Sequence, residues 1–323
     1  MPLRPESIGI GDTNLLLPVF FPSVSSVKTA LSPSQYVSLL GSLAALNRQF
    51  LVSAFDIGLA PGSDALRTSL DAAREAGVVI MMDSGNYESY WKDAQVRWTQ
   101  PLFHEILRAT ACPVALGFDE QEPPQDIAAN VQSIVDRWRQ DQAVRRTCLV
   151  VPIIHGRPSE LPVLCRRVVE LTGVQMIAVP ERRLGDGVFD RAKAVRSIRS
   201  ALDDLGRYIV LHLLGTGNPI SMAIYSASGA DSFDGLEWCQ TVVDHETAQL
   251  SHLSHADFFR AQTSWGDEDM SFHARTLAHN LEFYVNWMSR LRTAAREDGM
   301  SRFLRINLPA RIVALCSTEL GWE

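Results

Sequence analysis

Short runs of apolar and β-branched residues alternate along this chain with longer stretches in which apolar residues recur every three or four positions. The first pattern is typical of buried strands and the second of amphipathic helices. The predicted strands are Leu15–Phe21, Phe50–Phe55, Val78–Met82, Val114–Phe118, Cys148–Ile154, Met176–Val179, Tyr208–Leu214 and Asp231–Phe233. The predicted helices are Ser34–Leu46, Ser63–Ala76, Pro101–Ala111, Ile127–Gln142, Ser159–Thr172, Phe189–Leu205, Pro219–Ser228 and Ser271–Arg296.

This alternation predicts the fold class. Strands separated by helices form a parallel sheet with right-handed crossovers, and eight such units suit a closed barrel better than an open sheet. We therefore predict an α/β protein with a (β/α)8 TIM barrel core over residues 1–240. A C-terminal helical segment, residues 241–323, is expected to pack on the barrel as an appendage, and its long helix Ser271–Arg296 either closes the barrel or is appended to it.

Composition indicates an ordinary globular protein. The 323 residues are 46% hydrophobic and 21% charged, which excludes disorder, collagen and coiled coil. No apolar run approaches the roughly 20 residues of a membrane span, and the amino-terminal residues lack the regions of a signal peptide. We expect a cytoplasmic protein with no membrane partner. The five cysteines are unpaired in spacing, so reduced thiols are expected.

The formal net charge of −7 argues against a surface devoted entirely to nucleic acid. The segment Ser271–Arg311, however, contains seven arginines and three acidic residues, a local balance of +4. Two interpretations of this segment stay open, a solvated helix surface and a patch that contacts phosphates.

Many of the predicted strands are followed by a polar residue that is capable of chemistry. Because the carboxyl ends of barrel strands open on one face, these side chains are expected to converge in one pocket. Any one aspartate in such a position is more often only the N-cap of the next helix, but the set favours a site. The residues concerned are Asp56, Asp83, Asp119, His155, Asp186 and Asp234.

Two loops stand out. In Asp83-Ser-Gly-Asn-Tyr87 a glycine turn places an aromatic ring beside a carboxylate, as a pocket for a planar ring needs. In Leu214-Gly-Thr-Gly-Asn-Pro219 the backbone N–H groups either hold an anion or simply form a strand–helix turn.

Seven short motifs, in this order and spacing, resemble the tRNA-guanine transglycosylase family, from about Leu16 to Phe303. The resemblance itself implies a (β/α)8 barrel. The motifs are Met82-Asp-Ser-Gly-Asn-Tyr87, Gly117-Phe-Asp-Glu120, Ile153-Ile-His-Gly156, Gly185-Asp-Gly187, Leu214-Gly-Thr-Gly-Asn-Pro219, Asp231-Ser-Phe-Asp234 and Ala278-His-Asn-Leu-Glu-Phe-Tyr284.

The resemblance implies base exchange in a polynucleotide, in which guanine is cut from C1′ of its ribose and a 7-deazaguanine takes its place. Asp234 matches the nucleophile that forms a covalent glycosyl-carboxylate. Asp83 matches the general acid/base that assists guanine departure and then deprotonates the incoming base. Two displacements retain the sugar configuration, as in retaining glycosidases, and the chemistry requires no cofactor.

The resemblance also assigns substrate contacts. Asp119 matches a carboxylate that grips the guanine N–H edge, and Tyr87 matches a ring stacked on a base flipped out of its polymer. Gly156 matches a glycine that lets the backbone approach the purine, and Asp186 falls where the family often has an acidic residue. The expected substrate-binding residues are Ser84, Tyr87, Asp119, His155, Gly156, Asp186 and Gly215.

Three departures from the family stand out. His155 replaces the glutamine expected at the purine carbonyl, and Glu181 stands where a glycine is expected near the amide-donating loop. The family carries a structural zinc on three cysteines and one histidine, but only the histidine, His279, is present. His252 and His255 stand in place of cysteines at a spacing that suits zinc. The alternative is that these histidines hold no metal.

The family's basic segment that holds the anticodon loop reads Leu236-Glu-Trp-Cys-Gln240 and contains no arginine. The expected partner is therefore tRNA or another polynucleotide such as DNA. Arg182, Arg183 and the C-terminal arginines are the candidate phosphate contacts. Relatives often pair, so a homodimer or heterodimer is expected.

Three functions remain in competition. The first is an active base-exchange enzyme on tRNA or DNA. The second is a non-catalytic transglycosylase-like subunit that binds nucleic acid or a partner enzyme, which the departures at Glu88, His155 and Glu181 encourage. The third is a metal-dependent barrel hydrolase, against which the missing His-x-His motif after an early strand counts.

Overall fold

The computed structural model contains two antiparallel strands followed by eight parallel strands. It describes residues 3–10, 13–60, 62–91, 98–145 and 147–322. The antiparallel pair is β1 (Ser7–Ile10) and β2 (Thr13–Leu16). The parallel strands are β3 (Val19–Val24), β4 (Gln49–Ser53), β5 (Val79–Asp83), β6 (Val114–Leu116), β7 (Leu149–Val151), β8 (Met176–Pro180), β9 (Val210–Leu214) and β10 (Ser232–Gly235).

The parallel strands form a closed barrel. Their order in the sheet is β7-β6-β5-β4-β3-β10-β9-β8. A parallel bridge between Ile153 and Ala178 joins the two ends, where the Ile154 N–H donates to the Ala178 carbonyl at 2.8 Å. The prediction of a (β/α)8 TIM barrel is confirmed.

Helices lie between the strands and after them. Up to the last barrel strand they are α1 (Pro33–Ser42), α2 (Ala54–Leu59), α3 (Ser63–Glu75), α4 (Asn86–Trp91), α5 (Gln100–Ala109), α6 (Ile127–Val144), α7 (Leu161–Thr172), α8 (Val188–Asp203) and α9 (Pro219–Ser228). Their ends follow local chemistry. In α9, for example, Asn218 caps the first N–H groups, Pro219 opens the helix, and Gly229 ends it in the left-handed conformation.

The C-terminal appendage is also present. It follows α10 (Glu237–Gln240) and comprises β11 (Thr241–Val243), β12 (Leu250–His252), 3-10 turns over Leu253–Gln262 and Ser264–Asp267, α11 (Phe272–Arg296), α12 (Met300–Asn307) and α13 (Ala310–Leu320). Helix α11 packs on α9 and β3, and its Tyr284 ring stacks on Phe20 with centroids 4.6 Å apart. The long helix therefore closes the barrel as its eighth helix, while α12 and α13, which the sequence pattern missed, extend beyond it.

The side chains inside the barrel change from apolar to polar along the barrel axis. Because side chains in a strand alternate between the two faces, every second residue points inward. Near the amino ends the inward residues form an apolar cluster that includes Phe21, Met81 and Val210. Two positions further along the same strands stand Ser23, Asp83 and His212. The same period that fills the barrel core with apolar residues thus places polar residues at the carboxyl end.

The first predicted strand, Leu15–Phe21, is wrong in its bounds. It joins the end of β2 to the start of β3, and a cis Leu17–Pro18 bond separates the two. Ile10 and Leu15 from the antiparallel pair lie in the apolar cluster of the barrel interior and cover its amino end. The second predicted strand, Phe50–Phe55, also extends too far, since Ala54 already begins α2.

All five cysteines are buried and free. Among the described residues, no helix combines the length and the apolar character needed to cross a membrane.

A buried ion-pair network ties the chain's beginning to its last barrel strand. The Asp231 carboxylate, fully buried, accepts from Arg4 Nε at 2.7 Å and from an Arg199 nitrogen at 2.9 Å, as well as from the Tyr208 hydroxyl. The network surrounds the carboxylate with donors, so its loss removes the counter-charge of Arg4 and leaves Arg199 with Asp203 at 3.6 Å.

We expect Asp231→Asn to lower the free energy of unfolding by about 3–5 kcal/mol, because removing one partner of a buried ion pair leaves uncompensated charge. Urea unfolding followed by circular dichroism measures this. Asp64→Asn is the control, since the Asp64 side chain is 98% exposed and its removal should cost less than about 0.5 kcal/mol. Equal effects of the two changes would contradict a stabilising role for the network.

Candidate active site

A cavity of about 420 Å³ opens at the carboxyl ends of the barrel strands. Most of the residues predicted for a site converge there. Those that line the cavity are Asp83, Ser84, Tyr87, Asp119, His155, Gly215 and Asp234, together with Glu181 and Arg182. Side chains that the sequence interpretation did not assign to the site, among them Ser23, Gln121, Arg191 and Glu237, complete the lining.

Asp234 lies at the centre of a set of hydrogen bonds that hold its carboxylate in place. Its Oδ2 accepts from the Ser23 hydroxyl at 2.8 Å, and its Oδ1 accepts from the Gly215 N–H at 3.0 Å. Strand register produces the first contact, because Asp234 pairs with Phe21, and Ser23 is the next inward residue. The Gly215 turn, with a φ of +76°, therefore presents its N–H to a carboxylate of the protein itself.

His212 also contacts Asp234, and the sequence interpretation missed it. Its Nε2 lies 3.2 Å from Asp234 Oδ1, and its Nδ1 lies 2.7 Å from the hydroxyl of Ser232. The residue is fully buried in β9, whose other residues are apolar. A single polar residue inside an apolar strand was the signal that could have identified it.

Asp83 has a different environment, with a single backbone donor. The Gly85 N–H donates to Asp83 Oδ2 at 3.1 Å. Burial and the charge of Glu88 raise the pKa of Asp83 well above its usual value, and Asp119 and Asp234 act in the same direction. A buried carboxyl group whose pKa is raised by its neighbours is a candidate for proton transfer.

Asp119 is the opposite case, since donors occupy both of its oxygens. Oδ1 accepts from Ser84 at 2.9 Å and from Asn86 at 2.6 Å, while Oδ2 lies 2.6 Å from Gln121 Nε2 and 2.7 Å from His155 Nε2. Burial alone would raise the pKa of Asp119, but these hydrogen bonds, those of His155 first, lower it. The pKa values of Asp119 and Asp83 are thus shifted in opposite directions within the same cavity.

His155 is engaged on both ring nitrogens. Arg183 Nε donates to His155 Nδ1 at 3.3 Å, so the proton belongs on Nε2, which then donates to Asp119. The expectation that His155 donates to a purine carbonyl does not fit this arrangement. Its contacts instead orient the Asp119 carboxylate.

Two other expected substrate residues lie outside the cavity lining. Gly156 adjoins α7, and a Cβ at this position would overlap the Leu164 side chain. Its missing side chain therefore makes room for the barrel's own packing. Asp186 lies in an exposed part of the loop before α8. Asp56 is buried in α2, where its Oδ2 accepts from the Ser26 N–H at 2.8 Å, and it too is outside the lining.

Two further glutamates belong to the cavity. Glu88 is buried and accepts from the hydroxyls of Ser25 and Ser53, both at 2.6 Å, and burial with the charge of Asp56 raises its pKa to about 7. Burial likewise raises the pKa of Glu237 to about 7. A Cβ on Gly217 or Gly235 would overlap the Glu237 carboxyl, so these two glycines create the space it occupies.

The three histidines proposed as zinc ligands do not converge. His252 and His255 are exposed, with ring centroids 6.0 Å apart. His279 is buried, its Nε2 lies 2.8 Å from the Val243 carbonyl, and its Nδ1 lies 3.2 Å from the Thr263 hydroxyl. Within the described part of the chain, no group of three or more His, Cys, Asp or Glu side chains is arranged to hold a metal. The residues present do not fit the expected zinc.

Two arginines of the arginine-rich C-terminal stretch lie away from the cavity. Arg292 donates to the carbonyl of Pro18 at 3.2 Å, and Arg296 lies 3.4 Å from Glu6. Both contacts are at the amino end of β3, opposite to the cavity, so these two arginines do not serve a substrate bound there. Arg182 and Arg191, by contrast, line the cavity.

Neither a scan against models of protein families nor a search of curated proteins found a match to this chain. The fold and the cavity themselves define a class, that of a TIM-barrel protein with a carboxylate-rich cavity at the carboxyl ends of its strands.

Glu88 makes stability depend on pH in a defined direction. Its pKa is 4.5 for an ordinary glutamate and about 7 in the folded protein, so the native state binds this proton more tightly than the unfolded state. Its contribution is fully present below pH 4.5 and is lost as the pH rises towards 7.

We expect Glu88→Gln, which cannot ionise, to gain up to about 3 kcal/mol relative to the unchanged protein between pH 5 and pH 8. Urea unfolding of both proteins at the two pH values measures this gain. A difference in stability that is the same at both pH values would show that Glu88 does not titrate in this window.

Proposed function

We propose that this protein is a transglycosylase that exchanges guanine in a polynucleotide for a 7-deazaguanine base through a covalent intermediate on Asp234. One observation carries the proposal. A carboxylate held by three neighbours shares a cavity with a second carboxyl group, Asp83, whose pKa is raised well above its usual value. A nucleophile and a proton carrier are the pair that substitution at a glycosidic carbon needs.

The first displacement breaks the bond between C1′ and the guanine nitrogen. An Asp234 oxygen attacks C1′ and forms a glycosyl ester, while the electron pair of the broken bond goes to the base. Protonated Asp83 gives its proton to the departing guanine and becomes a carboxylate. Ser23 and the Gly215 N–H orient the attacking carboxylate, which reduces the reorganisation needed to reach the transition state.

The second displacement reverses these roles. The Asp83 carboxylate takes a proton from the ring nitrogen of the incoming base, and that nitrogen attacks C1′. The ester bond breaks, its electron pair returns to Asp234, and the sugar keeps its original configuration. Both steps use side chains already in the cavity and need no cofactor.

Base recognition in this proposal falls to Asp119 and Tyr87. Asp119 is charged and aimed by Ser84 and Asn86, and Gln121 is the donor that the N–H edge of a guanine displaces. Tyr87, 38% exposed at the cavity, supplies a ring for stacking. The polymer, tRNA or DNA, must present its base flipped out of the helix.

The function is tested by incubating the protein with radiolabelled guanine and either bulk tRNA or guanine-rich DNA. We expect label to enter one of the two polymers. Incorporation into neither polymer contradicts base exchange and favours the non-catalytic alternative.

The assignment of the nucleophile predicts a covalent adduct that depends on Asp234. With the preferred polymer, we expect a slowly migrating species on a denaturing gel that is absent in Asp234→Asn. Asp64→Asn, changed on the exposed side of α3, is expected to form the adduct normally. An adduct that survives Asp234→Asn would overturn the assignment.

The raised pKa of Asp83 predicts a pH profile for adduct formation. Since the first displacement uses protonated Asp83, its single-turnover rate should fall as the pH rises through the pKa of this group. We expect Asp83→Asn to slow the step by about 10²–10⁴-fold and to remove this alkaline fall. A variant with the same pH profile as the unchanged protein would exclude Asp83 as the acid.

A further inference from the structure

Helix α4 presents three aromatic side chains beside the cavity. Tyr87, Tyr90 and Trp91 are 38%, 76% and 49% exposed. Residues three and four apart share one face of a helix, so these rings form a contiguous surface. We call Tyr90 and Trp91, together with Lys28, the rim platform. Soluble proteins rarely expose large contiguous apolar patches unless something binds to them.

The rings of the platform are held in a defined arrangement. Trp91 meets Tyr90 edge to face, with centroids 5.4 Å apart and planes at 89°, and it meets Tyr87 at 6.4 Å. The Lys28 ammonium lies 3.4 Å from the centroid of the Trp91 ring. Gln240, a residue of the cavity lining, donates to the Lys28 carbonyl at 3.1 Å. The platform is therefore continuous with the rim of the cavity.

We propose that the rim platform stacks an unpaired nucleobase next to the target nucleotide, so that the polynucleotide strand is held single-stranded across the cavity mouth. This inference rests on the proposed function, because it extends the strand from the base that Tyr87 receives. It assigns a binding role to Tyr90, Trp91 and Lys28, none of which touches the reacting atoms.

The chemistry of the platform selects this occupant. Aromatic rings bind nucleobases of any sequence through stacking, and a cation beside them suits the neighbouring phosphate. The cavity is lined by Asp83, Asp119 and Glu237, so the charge that attracts a phosphate backbone must lie at its edge. Lys28 in the rim platform and Arg182 in the cavity lining, both exposed, supply that charge. A base in a duplex keeps its faces covered and cannot use such a platform.

The test is fluorescence anisotropy with three labelled probes that contain no guanine. Two are single strands, one of twelve thymidines and one of twelve uridines, and the third is a blunt-ended thymidine–adenosine duplex. We expect the single strands to bind more tightly than the duplex. Trp91→Ala should weaken single-strand binding about 5- to 150-fold, and Tyr90→Ala should weaken it in the same direction. Trp91→Phe, which keeps a ring, should retain most of the affinity.

Phe258→Ala is the matched control. Phe258 is 79% exposed but lies in the C-terminal appendage, so its removal should leave oligonucleotide binding unchanged. Thermal unfolding of every variant establishes that the fold is intact. The inference is overturned if Trp91→Ala binds single strands as the unchanged protein does, or if Trp91→Phe loses as much as Trp91→Ala. Equal binding of the duplex overturns it as well.

The two proposals can fail separately. The probes contain no guanine in the strands tested, so their binding does not depend on base exchange. Loss of binding in Trp91→Ala without any guanine incorporation refutes the proposed reaction and leaves the stacking surface standing. If guanine is incorporated but Trp91→Ala binds the single strands as the unchanged protein does, the proposed reaction stands and the stacking role of the platform is refuted.

Discussion

Repulsion among carboxyl groups is the constraint on which the cavity depends. Asp83, Glu88, Asp119, Asp234 and Glu237 share a space of about 420 Å³. The protein distributes hydrogen-bond donors unequally among them. Asp119 has four side-chain donors and a lowered pKa, whereas Asp83 has one backbone donor and a raised pKa. Both groups are buried, so the difference in the direction of their pKa shifts follows the number of hydrogen-bond donors at each carboxyl group.

The donors themselves depend on the barrel. Ser23 and His212 reach Asp234 because their strands are in register with β10, and the Gly215 N–H reaches it because the chain turns at the end of β9. A slip of one residue in either pairing would send these side chains to the opposite face. The apolar layer below, closed by β1 and β2, fixes that register, so the chemistry above is tied to the core beneath it.

Hydrogen bonds from the C-terminal appendage hold α10 at the cavity. Asn280 donates to the carbonyls of Trp238 and Thr241 and accepts from the Val243 N–H at 3.0 Å. Beside it, the His279 ring is satisfied by backbone and hydroxyl groups, and burial together with His279 lowers the pKa of His245 to about 4. These contacts anchor α10, which carries Glu237 into the cavity.

The sequence pattern predicted the barrel because the periodicity of apolar residues and the spacing of strands along the chain are local properties of the sequence. It located Asp83, Asp119 and Asp234 because residues at strand ends meet on one face whatever the detailed register. It could not find Ser23, or the contact of Arg183 with His155, because both depend on residues that are distant in the chain. The resemblance placed Gly156 beside the purine, and only the structure shows that a Cβ there would overlap Leu164 of α7. The position of Arg292 and Arg296 at the amino end of β3 likewise could not be predicted from the sequence.

A carboxylate-rich cavity and an anionic polymer are electrostatically opposed, and base flipping resolves the opposition. In the proposed reaction only the neutral base and its sugar enter the cavity, while the phosphates stay outside. Moving the charged backbone past Asp119 would cost desolvation and repulsion together. The cations at the rim, Lys28 and Arg182, and the raised pKa of Asp83 within the cavity are consistent with this arrangement. The negative net charge of the chain is therefore compatible with a polynucleotide substrate, provided that the strand remains at the surface and a single nucleoside is extruded from it.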